Sequence, residues 1–254
     1  MRSALPIAVI ITLISCGQEK SAKTENNEQE VVEAAVNLSG AWKNVSTDSS
    51  GLEVTAMAIV TDKYVSDTWY NLDEKKFVGT SGGSYQVEGN TISQTFEFNT
   101  LDSTQVGKTI SSQFEIEGDK ITFRPSNSVW TRVDDGSGGD LAGAWLITGR
   151  QRDGEISRRT PGARKTMKIL SGTRFQWIAY NDSTAGFFGT GGGTYSTVNG
   201  KYTENIEFFS RNADRVGASL EFDYELDSGE WHHSGLSSKG DPIYEIWTPR
   251  EMLD

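Results

Sequence analysis

From Leu38 onward the chain alternates apolar and polar residues with a period of two. Leu220, Phe222, Tyr224 and Leu226 alternate with Glu221, Asp223 and Glu225, and Ile110, Phe114 and Ile116 stand opposite Gln113, Glu115 and Glu117. That period is the mark of strands with one buried and one wet face. In the second half it predicts strands at 143–149, 165–171, 173–180, 186–197, 201–209, 217–226, 229–236 and 242–249, with Asn199-Gly200 and Ser228-Gly229 as hairpin turns. The first half yields about the same number. No helical period falls between them, so the strands form a meander, and about eight such strands close into a barrel without exposed edges.

The two halves are copies. Leu38-Ser-Gly-Ala-Trp42 recurs as Leu141-Ala-Gly-Ala-Trp145, and Gly79-Thr-Ser-Gly-Gly-Ser-Tyr85 as Gly189-Thr-Gly-Gly-Gly-Thr-Tyr195. An offset of 110 residues holds without a gap from Val65 against Phe175 to Phe123 against His233, and Trp130-Thr131 matches Trp247-Thr248 near each end. The domain expectation is therefore barrel 1 at 38–133, a Gly/Ser/Asp linker at 134–140 and barrel 2 at 141–250. Repeats this long are a tandem duplication, not a solenoid.

Ahead of the first copy the pattern changes. Arg2 precedes an apolar run from Ala4 to Ile14, too short to span a bilayer as a helix, which reads as a secretory signal over residues 1–15. Leu13-Ile14-Ser15-Cys16 at its end resembles the lipobox of bacterial lipoproteins, which implies acylation of Cys16 and anchoring of the exported chain to a lipid bilayer, at the outer membrane on its periplasmic or surface side. Cys16 is the only cysteine, so disulfide and thiol chemistry are excluded for the body of the chain. Residues 16–37 otherwise carry no aromatic side chain and read as a solvated tether. The formal net charge of −11 argues against a nucleic-acid partner, and the chain offers no feature that names a protein partner.

Gly40-Ala41-Trp42 and Gly143-Ala144-Trp145 match the G-x-W of lipocalins, and Trp130-Thr131-Arg132 and Trp247-Thr248-Pro249-Arg250 end on an arginine, as closing strands of that family do. The second copy more closely resembles a lipocalin-like domain of unknown function found in bacterial lipoproteins. The resemblance implies an all-β protein of two tandem antiparallel up-and-down barrels, each enclosing a small molecule. It implies barrel closure by Trp42 on Arg132 and by Trp145 on Arg250. It also implies that the loop after the first strand caps the open end; in copy two that loop carries Arg150, Arg152, Arg158, Arg159, Arg164 and Lys165, a cationic lid suited to an anion.

Candidate chemistry inside the barrels is sparse. Gly189–Gly193 lacks the Lys-Ser/Thr of a P-loop and leads into a strand, so it reads as a bulge that bends that strand. His232 and His233 are adjacent in a strand, face opposite sides, and so form no joint metal site. No cofactor or metal is expected. By register with Phe123, His233 points inward, and along Tyr202–Phe208 the inward set is Tyr202, Glu204, Ile206 and Phe208, matching Ile92, Gln94, Phe96 and Phe98. Glu204 is then a carboxylate among apolar neighbours and needs a partner, for which His233 is the candidate. With Phe175, Trp177, Tyr195, Tyr202 and Trp231 as aromatic walls, Glu204 and His233 make barrel 2 the expected ligand site. Charge-dependent recognition is expected there alone, because copy one has neutral residues at the matching positions. The competing expectations are an isomerase or dehydratase using Glu204 and His233, with no catalytic residue otherwise assigned, and barrels filled by aromatic side chains that serve a structural or protein-binding role.

Overall fold

The computed structural model describes residues 36–237 and 240–254. The signal, Cys16 and nearly all of the tether lie outside these residues. Eight antiparallel strands form the first barrel: β1 (Gly40–Thr47), β2 (Glu53–Val60), β3 (Tyr64–Asn71), β4 (Lys76–Glu88), β5 (Thr91–Asn99), β6 (Thr109–Glu117), β7 (Lys120–Arg124) and β8 (Ser128–Asp134), closed by β8 pairing with β1. The second repeats the order with β9 (Gly143–Arg152), β11 (Arg164–Leu170), β12 (Arg174–Asn181), β13 (Gly186–Val198), β14 (Lys201–Phe209), β15 (Ser219–Asp227), β16 (Glu230–Leu236) and β17 (Pro242–Pro249), closed by β17 on β9. An extra strand, β10 (Glu155–Arg158), folds back on β9 as a hairpin, so most of the arginine-rich segment is sheet and only residues 159–163 remain as a loop. Arg158 bonds Glu230 at the start of β16 and Lys165 bonds Asp182 just after β12, which commits two of its cations.

Glycine shapes the long strands. Gly83 and Gly193 lie at register shifts between β4 and β5 and between β13 and β14. A β-carbon at either would stand 2.0 Å from a carbonyl oxygen of the facing strand, Thr95 or Asn205, so glycine is the residue that fits. The same bulges correct the inward set expected for β5 and β14. Beyond them the parity flips: Phe96 faces the first lumen but Phe98 faces out, and Phe209 takes the place in the second lumen that strict alternation assigns to Phe208.

The outward side chains have a purpose, because the barrels pack on each other as one compact unit. Ile59, Tyr64 and Phe98 of the first barrel share a buried cluster with Leu146, Met167, Ile169, Ile178 and Tyr180 of the second. The contact is nearly reciprocal. Tyr70 donates to Glu207 at 2.6 Å and lies 5.0 Å from the Phe208 ring, while Tyr180 donates to Glu97 and lies 5.0 Å from the Phe98 ring. Each contact maps on the other through the 110-residue offset, as in the self-complementary interface of a two-fold dimer. At the centre the buried Gln176 amide accepts from Ser66 and donates to Thr80 and Thr190, leaving none of its polar atoms idle.

The linker is also engaged. Asp134 accepts bonds from the hydroxyls of Ser171 and Thr173 and from the backbone of Gly172 and Thr173, pinning the β11–β12 turn. Burial pushes its carboxyl up, but these bonds outweigh burial and hold it below its ordinary pKa.

Candidate ligand-binding sites in the two barrels

Both barrels are closed at one end by the tryptophan of the repeated Gly-Ala-Trp segment. Trp42 donates to the Leu38 carbonyl at 2.8 Å and Trp145 to the Leu141 carbonyl at 2.9 Å. Arg132 lies directly across from Trp42 and stacks its guanidinium 4.0 Å over the ring, while its Nη1 holds the Ser39 carbonyl. The second copy departs from this arrangement. Pro249, the residue inserted between Thr248 and Arg250, occupies the position across from Trp145. One extra residue turns the next side chain to the opposite face. Arg250 therefore leaves the barrel, stacks 4.0 Å over Tyr64 of the other barrel and bonds Glu97 there. Its place is between barrels, and Trp145 packs edge-on against Trp231 instead.

Inside barrel 2 the cation comes from a residue that the sequence reading passed over. Lys168, on β11, bonds Glu204 at 2.9 Å with both side chains almost fully buried. Its ammonium stands 4.7 Å from the centre of the Trp231 ring, 4.8 Å from Tyr202 and 5.3 Å from Trp247, close enough for cation–π attraction from three sides. Glu204 is thus inward, buried and paired, but with Lys168 and not with His233.

His233 is inward and buried, His232 points out and bonds Tyr244 at 2.7 Å, and the His233 partner is Glu245, 3.5 Å away. At that separation the ring nitrogen makes no aligned hydrogen bond. Burial, reinforced by Lys168, holds the imidazole below its ordinary pKa and so favours the neutral ring. Burial pushes Glu245 up, but His233, Lys168 and Arg150 outweigh it and hold the carboxyl below its usual range. Glu204 and His233 therefore face different partners, Lys168 and Glu245, and no direct dyad joins them.

These groups surround a cavity of about 370 Å³. Trp177, Phe209, Leu220, Phe222 and Trp247 form its apolar wall, Lys168, Glu204, His233 and Glu245 its polar side, and the exposed Arg150, Arg164 and Arg211 its rim. Arg150 pairs with Glu245 at 3.2 Å, and Arg164 stacks over Phe188. Among the described residues, the buried indole nitrogens of Trp231 and Trp247 have no hydrogen-bond partner. Of the other aromatics expected as wall, Tyr202 and Trp231 surround Lys168 behind the cavity surface. Phe175 and Tyr195 are closed-end core, Tyr195 spending its hydroxyl on the Ser171 carbonyl. Among the described residues no three His, Cys, Asp or Glu side chains gather as a metal site.

Barrel 1 holds a cavity of about 240 Å³ whose wall includes Trp42, Trp69, Phe96, Phe123 and Trp130. Among the described residues one charged side chain lines it, Asp67. It alternates with Val65 and Trp69 along β3, so its carboxyl points in while Ser66 and Thr68 meet the other barrel. Burial pushes the Asp67 carboxyl up to about 7, with Gln94 alone pulling the other way. The Gln94 amide nitrogen is near enough to act on Asp67 but makes no aligned hydrogen bond. The expectation that charge is available only in barrel 2 is therefore corrected. The same strand alternation that turns Glu204 inward turns Asp67, Lys168 and Glu245 inward as well.

No protein-family profile and no curated protein sequence matches the chain.

Proposed function

We propose that this chain is an exported lipoprotein, held on a bacterial membrane by acylated Cys16, and that barrel 2 binds a small, partly apolar ligand carrying a negative charge. The observation that carries the binding reading is the 370 Å³ cavity with an aromatic wall, a buried ammonium at Lys168 and three arginines at its rim. A volume of this size falls in the range of about 300–1,000 Å³ common for small-molecule sites. The unpaired indole N–H of Trp247, which lines the cavity, supports it, since a buried donor without a partner is rare and a guest or water would satisfy it. The rim supplies long-range attraction on a chain that is otherwise acidic.

The test titrates the full chain with 8-anilino-1-naphthalenesulfonate and, in parallel, with its neutral counterpart N-phenyl-1-naphthylamine. Changing Arg164 and Arg211 together to Ser is expected to weaken the sulfonate about tenfold and leave the neutral probe unaffected. Equal loss of both, or of neither, removes the anion preference. The anchor is tested separately by Cys16→Ser, expected to move the protein from the membrane to the soluble fraction. A variant that stays with membranes and shows the acylation state of the parent ends the lipoprotein reading.

A further inference from the structure

We infer that barrel 1 is a second and chemically opposite binding site, which takes a small apolar amine as its ammonium cation, with Asp67 as the counter-ion inside an aromatic cage. The inference stands on barrel 1 alone and does not depend on what barrel 2 binds.

Three observations carry it. The cavity is a cul-de-sac whose closed end is sealed by Trp42 and Arg132, with the guanidinium committed to the Trp42 ring and the Ser39 carbonyl. Its wall presents indole and phenyl rings at Trp69, Phe96, Phe123 and Trp130, which attract a cation by their π faces and bury an apolar body. Among the described residues Asp67 is the one charged residue on that wall, and none of them sets a cation against it: Ala58 stands where barrel 2 has Lys168, and Phe123 where it has His233. A carboxylate left without a cation in such a place is costly, and the cost is relieved by a proton or by a cationic guest. An ammonium meets both the charge and the aromatic surface, whereas an anion is repelled and a neutral guest leaves the carboxyl unpaired. At about 240 Å³ the space suits a single-ring amine.

The experiment is isothermal titration calorimetry of the full chain at pH 8 with phenethylamine, and with 2-phenylethanol and phenylacetate as neutral and anionic analogues of the same shape. Phenethylamine is expected to bind at least about tenfold more tightly than either analogue. Asp67→Asn, which keeps the side chain's size, is expected to bring the amine down to the level of the alcohol. Should that variant fail to fold, the wild-type pH profile decides the matter. The amine stays charged from pH 5 to pH 8, so its affinity must rise across that span as the Asp67 proton is given up. Absence of amine binding, equal affinity for amine and alcohol, an Asp67→Asn variant that binds like the parent, or a flat pH profile would each overturn the inference.

Discussion

Barrels 1 and 2 share strand order, register, bulges and closing tryptophan, yet their interiors carry opposite solutions to the problem of a buried charge. Barrel 2 sets cations against its lumen carboxylates, Lys168 against Glu204 and Arg150 against Glu245, and keeps further arginines at its rim. Barrel 1 has a lone carboxyl at Asp67 and places its cation, Arg132, over Trp42 at the closed end. The lesson is that a duplicated scaffold is conserved by its backbone requirements, the glycine bulges and the closing end, while inward positions between them diverge freely. A few lumen substitutions suffice to change which charges a barrel turns inward.

The comparison breaks most sharply at the buried ion pair. Lys168→Ala or Glu204→Gln alone leaves one charge unpaired in the interior and should cost about 3–5 kcal/mol in urea unfolding of the full chain. The double change reproduces Ala58 and Gln94 of barrel 1. It should cost much less than the sum of the two, because both charges leave together. A double cost equal to the sum would show that the two residues are not coupled.

The two terminal arginines should separate next. Arg250→Ala removes the bond to Glu97 and the stacking on Tyr64, and is expected to cost about 2–3 kcal/mol. Arg132→Ala loses the stack on Trp42 and the bond to the Ser39 carbonyl, for about 1–2 kcal/mol. The first should also uncouple the barrels, seen as faster amide exchange along both sides of their interface, and the second should not. If Arg132→Ala proves the costlier change, the Arg250 contact between barrels matters less than its geometry implies.

The smallest effects lie in pH dependence, and the two lumens should give opposite signs. His233 has a folded pKa below its ordinary 6.5, so the folded state resists protonation and loses stability as pH falls through that value. His233→Phe, copying Phe123, should flatten this loss by on the order of 1 kcal/mol between pH 7.5 and 5.5. Asp67 runs the other way. Its folded pKa is raised from 3.8 to about 7, so its contribution is full below pH 3.8 and declines as pH rises through about 7. Asp67→Asn should therefore stabilise the protein at pH 8 relative to pH 6.5, by on the order of 1 kcal/mol. Identical pH slopes in parent and variants would show that neither lumen group is electrostatically burdened.

Local sequence determined the strands, the duplication, the all-β double barrel and the inward direction of Glu204 and His233. Each follows from alternation or repetition, which are properties of neighbouring residues. The insertion of Pro249 was also visible in the sequence, and its consequence for Arg250 follows from strand parity once the pairing of β17 with β9 is known. Tertiary structure decided the rest. Which residue neutralises Glu204 depends on what lies across the lumen, and Lys168 is 36 residues away on a strand that is not adjacent. Alternation marks which side of a strand is apolar, but Met167 and Ile169 are buried on the outer face because a second barrel covers them, so the Thr166–Leu170 run conceals Lys168 among apolar neighbours. The bulges at Gly83 and Gly193 reverse parity partway along a strand, sending Phe98 and Phe208 to the interface. Periodicity is a one-dimensional signal that reports strand faces; closure, bulge placement and barrel contact decide which faces meet, and those depend on the whole chain being folded.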